Sequence, residues 1–169
     1  APSTWTELFN LNDLLTVRDA TGGIQRSMIA LGSYNNVNNA KDILSTLILQ
    51  GGNPITVYQN GKFLSALQSS SLTSTKPVEQ ALTFYNEFST QSNRAYSWNR
   101  GLAKSRDLFT SGKLAFYLGH ASELFEIESV NPNLSFDVRE IFQTTDSLNR
   151  RTFGTLHSIA INKNSADLV

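Results

Sequence analysis

The chain has 169 residues, with 14 Lys and Arg against 14 Asp and Glu, no cysteine, and 40% hydrophobic residues. A chain of this length buries roughly 70% of the surface its unfolded form exposes, so one core is feasible without disulfides or metals. Zero formal charge removes the broad attraction that nucleic acids and anionic membrane surfaces exploit, and the missing thiols exclude thiolate zinc sites and cysteine nucleophiles.

No apolar run approaches the roughly 20 residues that cross a bilayer; the stretch Ile43 to Leu49 is short and contains polar residues. The sequence opens at Ala1 without a charged-then-apolar leader, which leads us to expect a processed chain or a piece of a longer one. Ser3 or Thr4 is the expected N-cap of a first helix, with Glu7 three residues after Thr4 in capping-box spacing and Leu8, Leu11, Leu14 and Leu15 at helical intervals. After Gly22-Gly23, Ser27 to Gly32 reads as a short buried strand. The Asn-rich segment Asn35 to Asn39 then hands over to a helix over 38–50, closed by Gly51-Gly52.

Ile55 to Tyr58 and Lys62 to Leu64 flank Asn60-Gly61, the dipeptide best suited to a type I′ turn, and predict a surface hairpin. A polar loop over Ser69 to Thr75 leads to Lys76-Pro77 and a helix with Val78, Ala81, Leu82, Tyr85 and Phe88 on one face. A second polar loop over Ser89 to Asn99 carries Tyr96 and Trp98, before a short helix with Leu108 and Phe109 that stops at Gly112. Lys113 to Gly119 is nearly all apolar and reads as the central, doubly covered strand. Ser122 is the expected cap of a helix from Glu123 to Val130, closed by Asn131-Pro132. Leu134 to Val138 reads as a half-covered strand; a polar turn near Asp146 to Asn149 leads to a last extended segment over Phe153 to Ile161 and a helix starting at Ser165. Strands interleaved with helices predict an α/β domain, and no repeat or linker marks an internal boundary.

The sequence lacks a phosphate loop, HExxH, GxSxG and GxGxxG. His157, in an extended apolar segment, reads as a structural imidazole, whereas His120 directly follows the expected central strand, where ligands collect in open α/β sheets. Glu123 and Glu126 suit the first turn of a helix, where the dipole favours acids. Tyr96 and Trp98 either pin their polar loop to the core or offer a flat face to a ligand. The asparagines at 35–39 serve turns and caps, or present the paired donor and acceptor that neutral polyols require. Asn133-Leu134-Ser135 matches an N-glycosylation sequon.

Four motifs in order carry a family resemblance. Pro2 to Leu8 resembles the P-x-T-W-x-E-L that opens the second lobe of extracellular solute-binding proteins of ABC importers, the maltose-binding-protein-like family. Ala81 to Phe88 is similar to their A-x-x-F-Y-x-x-F helix, Phe109 to Gly119 to their F-x-x-G-K-x-A-M-x-x-x-G strand entry, and Gly154 to Ser165 to their G-x-x-x-x-I-x-K-x-S return. Ala121 stands where sugar-binding relatives often carry a stacking aromatic, and Phe136 to Gln143 lacks the family's prolines.

The resemblance implies a type II periplasmic-binding-protein-like lobe, a mixed sheet flanked by helices, with residues 1–169 forming the single C-terminal lobe of a two-lobed clamp and the N-terminal lobe lying outside this chain. It implies no catalysis and no cofactor: a small neutral polar solute, a sugar or polyol, is gripped between lobes and passed to a membrane permease. The setting would be extracellular or periplasmic, with a membrane anchor supplied by a leader outside this chain. The implied ligand-binding residues are Tyr34, Asn35, Asn36, Asn38 and Asn39 before the second helix and His120, Ala121 and Ser122 after Gly119. Apart from the resemblance, the polar context of Tyr96 and Trp98 makes them expected ligand contacts that supply aromatic faces from another loop. Two other readings stand beside it: a small carbohydrate hydrolase using Glu123 with Asp107 or Asp137, and a binding protein that senses or adheres rather than transports.

Overall fold

The computed structural model describes residues 2–67, 77–144, 150–155 and 159. The Thr4 hydroxyl caps α1 (Trp5–Phe9) by accepting the Glu7 N–H at 3.2 Å, and the Glu7 carboxylate accepts the Ser3 N–H at 2.7 Å. The predicted capping box thus forms with its return arm on Ser3 rather than Thr4. The helical run over the leucines is broken: α1 ends at Phe9, and α2 (Asn12–Leu15) follows as a separate turn. Asn12 is buried, with its amide donating to Arg94 O at 2.7 Å, and the turn that points it inward leaves Leu14 in solvent.

A three-stranded mixed sheet carries the fold, in the order β1 (Val17–Arg18), β2 (Ile24–Ile29), β5 (Leu114–Phe116). β1 and β2 are antiparallel; β2 and β5 run parallel, with Ser27 opposite Leu114 and Ile29 opposite Phe116. Between them in sequence lie α3 (Ala40–Gln50), the hairpin β3 (Thr56–Gln59) with β4 (Lys62–Ser65), α4 (Pro77–Glu87) and α5 (Ser105–Thr110). A 3₁₀ turn over Ala121–Glu123 and α6 (Leu124–Val130) follow β5. The chain is therefore a mixed α/β domain with a small mixed sheet flanked by helices.

Helices α3 and α4 pack on each other, and their apolar faces join Met28, Ile29 and Leu31 in one core. Fully burying each of these large side chains stabilises the fold by roughly 1.5–3 kcal/mol. A chain of edge-to-face rings crosses this core: Phe88 to Phe84 at 5.3 Å, Phe84 to Trp5 at 5.5 Å, Trp5 to Phe142 at 5.1 Å and Phe142 to Phe116 at 5.6 Å. Trp5 Nε1 donates to Gln50 Oε1 at 2.7 Å, and Gln50 Nε2 donates in turn to Phe142 O at 2.8 Å, so α1, α3 and the 141–143 segment meet at one point.

Several expectations hold. Asn60 and Gly61 adopt φ of 50° and 77°, as the predicted type I′ hairpin requires. Pro77 opens α4, where its missing N–H costs no bond, and Gly51 with Gly52 closes α3.

Other expectations need correction. Within the described sheet β5 lies at an edge and β2 at the centre, and the apolar run after Phe116 leaves the ladder to pack against α5, Tyr117 stacking on Phe109 at 5.5 Å. On α4, Phe84 packs against the core while Leu82 is exposed. Leu134 to Val138 forms no strand; it lacks a ladder partner, and Phe136 instead packs edge-on to Phe109 at 5.6 Å. Phe153 to Thr155 form no regular element. Ser69 to Thr75, Lys76, Asp146 to Asn149, His157, Ser165 and most of Phe153 to Ile161, for which the sequence also gives expectations, lie outside the described residues.

Candidate functional site

Strands β2 and β5 run parallel and side by side, so the loops that leave their carboxyl ends emerge next to each other. Loop 30–39 leads from β2 into α3, and residues 117–120 lead from β5 into the 3₁₀ turn. This end of an open α/β sheet is where the geometry leaves a crevice for ligands.

Asn39 joins the two loops. Its Nδ2 lies 3.2 Å from Tyr117 Oη, 3.1 Å from Leu118 O and 2.9 Å from Glu123 Oε1. An amide has two N–H groups for these three acceptors, so one is shared. The Tyr117 hydroxyl donates to the other carboxylate oxygen of Glu123, and His120 N–H donates to Glu123 Oε1 at 3.0 Å. Burial raises the Glu123 pKa, but the hydrogen bonds from His120, Tyr117 and Asn39 together outweigh it, so the carboxyl titrates below its ordinary value of 4.5. Burial first, and the adjacent Glu123 second, push the Tyr117 phenol well above its ordinary range, which keeps it a donor.

His120, rather than Ser122, is the cap. The Glu123 carboxylate accepts the His120 N–H at 3.0 Å, and the Glu123 N–H donates to His120 O at 3.0 Å. The His120 Nε2 lies 2.8 Å from Asp42 Oδ2 in the first turn of α3, which ties the ring to that helix.

Beside this bridge, an open cleft of about 450 Å³ is lined by Tyr34 to Asp42 and Lys104. Asn36 and Asn38 form its floor through fixed contacts. Asn36 is buried: its Nδ2 donates to Asn99 O and Leu102 O, both at 2.9 Å, and its Oδ1 accepts from Trp98 Nε1 at 3.0 Å. Asn38 Oδ1 accepts from Ser105 Oγ at 3.0 Å and Arg106 N at 3.1 Å, which leaves its Nδ2 donors without a partner among the described residues. Tyr34 is 77% exposed, and it and Asn35 make no hydrogen bond within the described chain.

The structure therefore brings Tyr34, Asn35, Asn36, Asn38 and Asn39 to one cleft and joins His120 to it through Asp42. Ala121 and Ser122 are exposed in the 3₁₀ turn and do not line it. Trp98 is fully buried in the core, so it presents no face to a ligand: of the two sequence readings of this residue, loop pinning is the one its position supports. Tyr96 stands outside the cleft, its ring under the Arg18 guanidinium at 4.8 Å and its hydroxyl accepting from Asn99 Nδ2 at 3.1 Å.

Of the carboxylates in the hydrolase reading, Glu123 is engaged by His120 N, Asn39 and Tyr117, while Asp107 and Asp137 are exposed, the latter paired with Arg139 at 2.8 Å. Among the described residues no group of three or more acidic or histidine side chains is placed to hold a metal ion. No described helix is long and apolar enough to cross a membrane.

Sequence reasoning missed Asp42, Tyr117, Lys41 and Lys104. Asp42 had a signal, because it falls in the first turn after an asparagine run ending a parallel strand; Lys104 and Tyr117 had none, since only the fold brings them near residue 39. No family model matches the chain, and neither a curated protein nor a solved structure matches it significantly. The family resemblance rests on the chain's own four motifs.

Proposed function

We propose that the chain is one lobe of a type II solute-binding protein, the substrate-binding component of an ABC-type importer, and that it binds a polar, carbohydrate-like solute at the 34–42 cleft. The observation that carries this reading is the pairing of two loops at the carboxyl ends of neighbouring parallel strands, bridged by Asn39 and by His120 with Asp42, beside a cleft whose free groups include amides and a phenol. Amide side chains offer donor and acceptor together, which suits ring hydroxyls, and the exposed Tyr34 ring supplies a flat apolar face. The motif order of the sequence supports the lobe assignment, and with it a complementary N-terminal lobe, a membrane permease as partner and an extracellular or periplasmic setting.

A lobe of a clamp makes only part of the contacts to its solute, so this chain alone binds weakly, and no bond is made or broken. The test is a thermal-shift screen of the chain against monosaccharides and polyols, at concentrations well above a millimolar Kd. A ligand present at about 100 times its Kd stabilises by roughly 2.7 kcal/mol. The reading expects at least one sugar to raise the Tm of the wild type and to leave Tyr34→Ala unchanged. No shift from any sugar, or an equal shift in Tyr34→Ala, would overturn it.

A further inference from the structure

The neutrality of the whole chain is not repeated in the cleft. Two of its lining residues are lysines, Lys41 and Lys104, and neither ammonium group makes an ion pair or hydrogen bond within the described chain. Three acidic groups on the surrounding elements are engaged: Asp42 by His120 Nε2 at 2.8 Å, Glu123 by His120 N, Asn39 and Tyr117, and Glu126 by Arg106 at 2.7 Å, the last pair also committing the neighbouring guanidinium. Glu128, on α6, is exposed and does not line the cleft. Asp107, in the first turn of α5, is exposed and does not line the cleft. Lys41 lies in the first turn of α3, a position that helix electrostatics disfavours for a cation, so local stability does not account for it. What the cleft presents to a solute is therefore two ammonium groups with no ion-pair partner among the described residues, beside the Asn38 Nδ2 donors, the Asn35 amide and the Tyr34 phenol.

Resting on the reading above, we propose that the solute is an acidic sugar, a polyhydroxylated ring bearing a carboxylate or comparable anionic group, with Lys41 and Lys104 taking the anion and the asparagines and Tyr34 taking the ring. A charge-assisted contact to an anion is roughly twice as strong as a neutral hydrogen bond, and a gain of about 1.4 kcal/mol is tenfold in affinity. The ammonium groups read charge, while the amides read the hydroxyl pattern.

The experiment compares glucose with glucuronate, which differ only in whether C6 is a hydroxymethyl or a carboxylate. The labelled chain is titrated with each to about 100 mM, a range suited to millimolar Kd values, and followed by amide chemical shifts. The expected result is a Kd for glucuronate about fivefold to tenfold lower than for glucose, with the shifts at 34–42. The advantage shrinks to within about twofold in Lys41→Gln with Lys104→Gln, and in about 1 M salt, where the screening length is about 3 Å. Both substitutions are on exposed side chains, so the variant folds. Equal Kd values for the two sugars, or an advantage unchanged in the double variant, would overturn the acidic-sugar proposal alone. Acetate matching glucuronate would overturn it too, by showing an adventitious anion only. Absence of shifts at 34–42 from either sugar would overturn the underlying reading as well.

Discussion

The indole Nε1 of Trp98 donates to Asn36 Oδ1 at 3.0 Å in the interior, so two residues that the sequence offers as ligand contacts instead bind each other. The same Asn36 amide holds the carbonyls of Asn99 and Leu102, and its own carbonyl accepts the Ser105 N–H at 2.8 Å, which ties the 97–105 segment to the floor of the cleft. Asn36→Ala strands a buried indole N–H and two carbonyls, and we expect a loss of about 2–4 kcal/mol in urea unfolding. Asn35→Ala, at an exposed neighbour with no partner, stays within about 0.5 kcal/mol. Equal losses for the two variants would show that the buried network contributes nothing.

The Glu123 bridge gives a pH signature. Its folded pKa lies below the unfolded value, so its contribution to stability is present above the unfolded pKa and is lost as pH falls through the folded value. The urea midpoint of wild type should exceed that of Glu123→Gln near neutral pH, with the gap closing as pH falls below the ordinary carboxylate value of 4.5. Asp19, lowered to about 2 by hydrogen bonds led by the Thr21 hydroxyl, and Glu7, lowered chiefly by the Ser3 N–H, lose contributions in the same acid range. Both are common to wild type and variant, so subtraction isolates Glu123. A gap that does not change with pH contradicts the bridge.

Two glycines with nearly equal φ separate strain from contact. Gly52 has φ +87° with open space around a would-be Cβ, whereas at Gly32, φ +83°, a Cβ would stand 2.6 Å from Ser89 Cβ and 2.9 Å from its backbone nitrogen. Gly52→Ala should cost about 1–2 kcal/mol, the left-handed penalty alone. Gly32→Ala must also move the end of α4 away from the strand exit, and denaturation should show a clearly larger loss. Indistinguishable losses would mean that the Gly32 and Ser89 backbones are not in fixed contact.

The legibility of the sequence followed the range of the interactions. Asn60-Gly61, Pro77 at the start of α4, Gly51-Gly52 after α3 and the Thr4 cap are decided within four residues, and each appears where the sequence places it. β1 has only two residues and exists because β2 lies beside it, so no local pattern announces it. Alternation at Leu134 to Val138 describes a surface that suits a strand, but without a partner ladder no strand forms. Trp98 lies among polar residues because its neighbours Ser97 and Asn99 turn their polar atoms to satisfy the core and the loop, and polarity along the chain says nothing of burial. The asparagines at 35–39 were legible as a group, yet their division into buried Asn36, bridging Asn39 and Asn35 with no hydrogen bond among the described residues depends on contacts more than 60 positions away in the chain.

The most direct test of the central claim is a crystal structure of the chain soaked with acidic and neutral sugars in turn. Sugar density is expected in the cleft between Tyr34 and Lys104, with the ring within hydrogen-bond distance of Asn35 and Asn38. A cleft left empty by every sugar, or a sugar seated instead at Tyr96 or on the exposed Tyr58 and Phe63 of the hairpin, would contradict it.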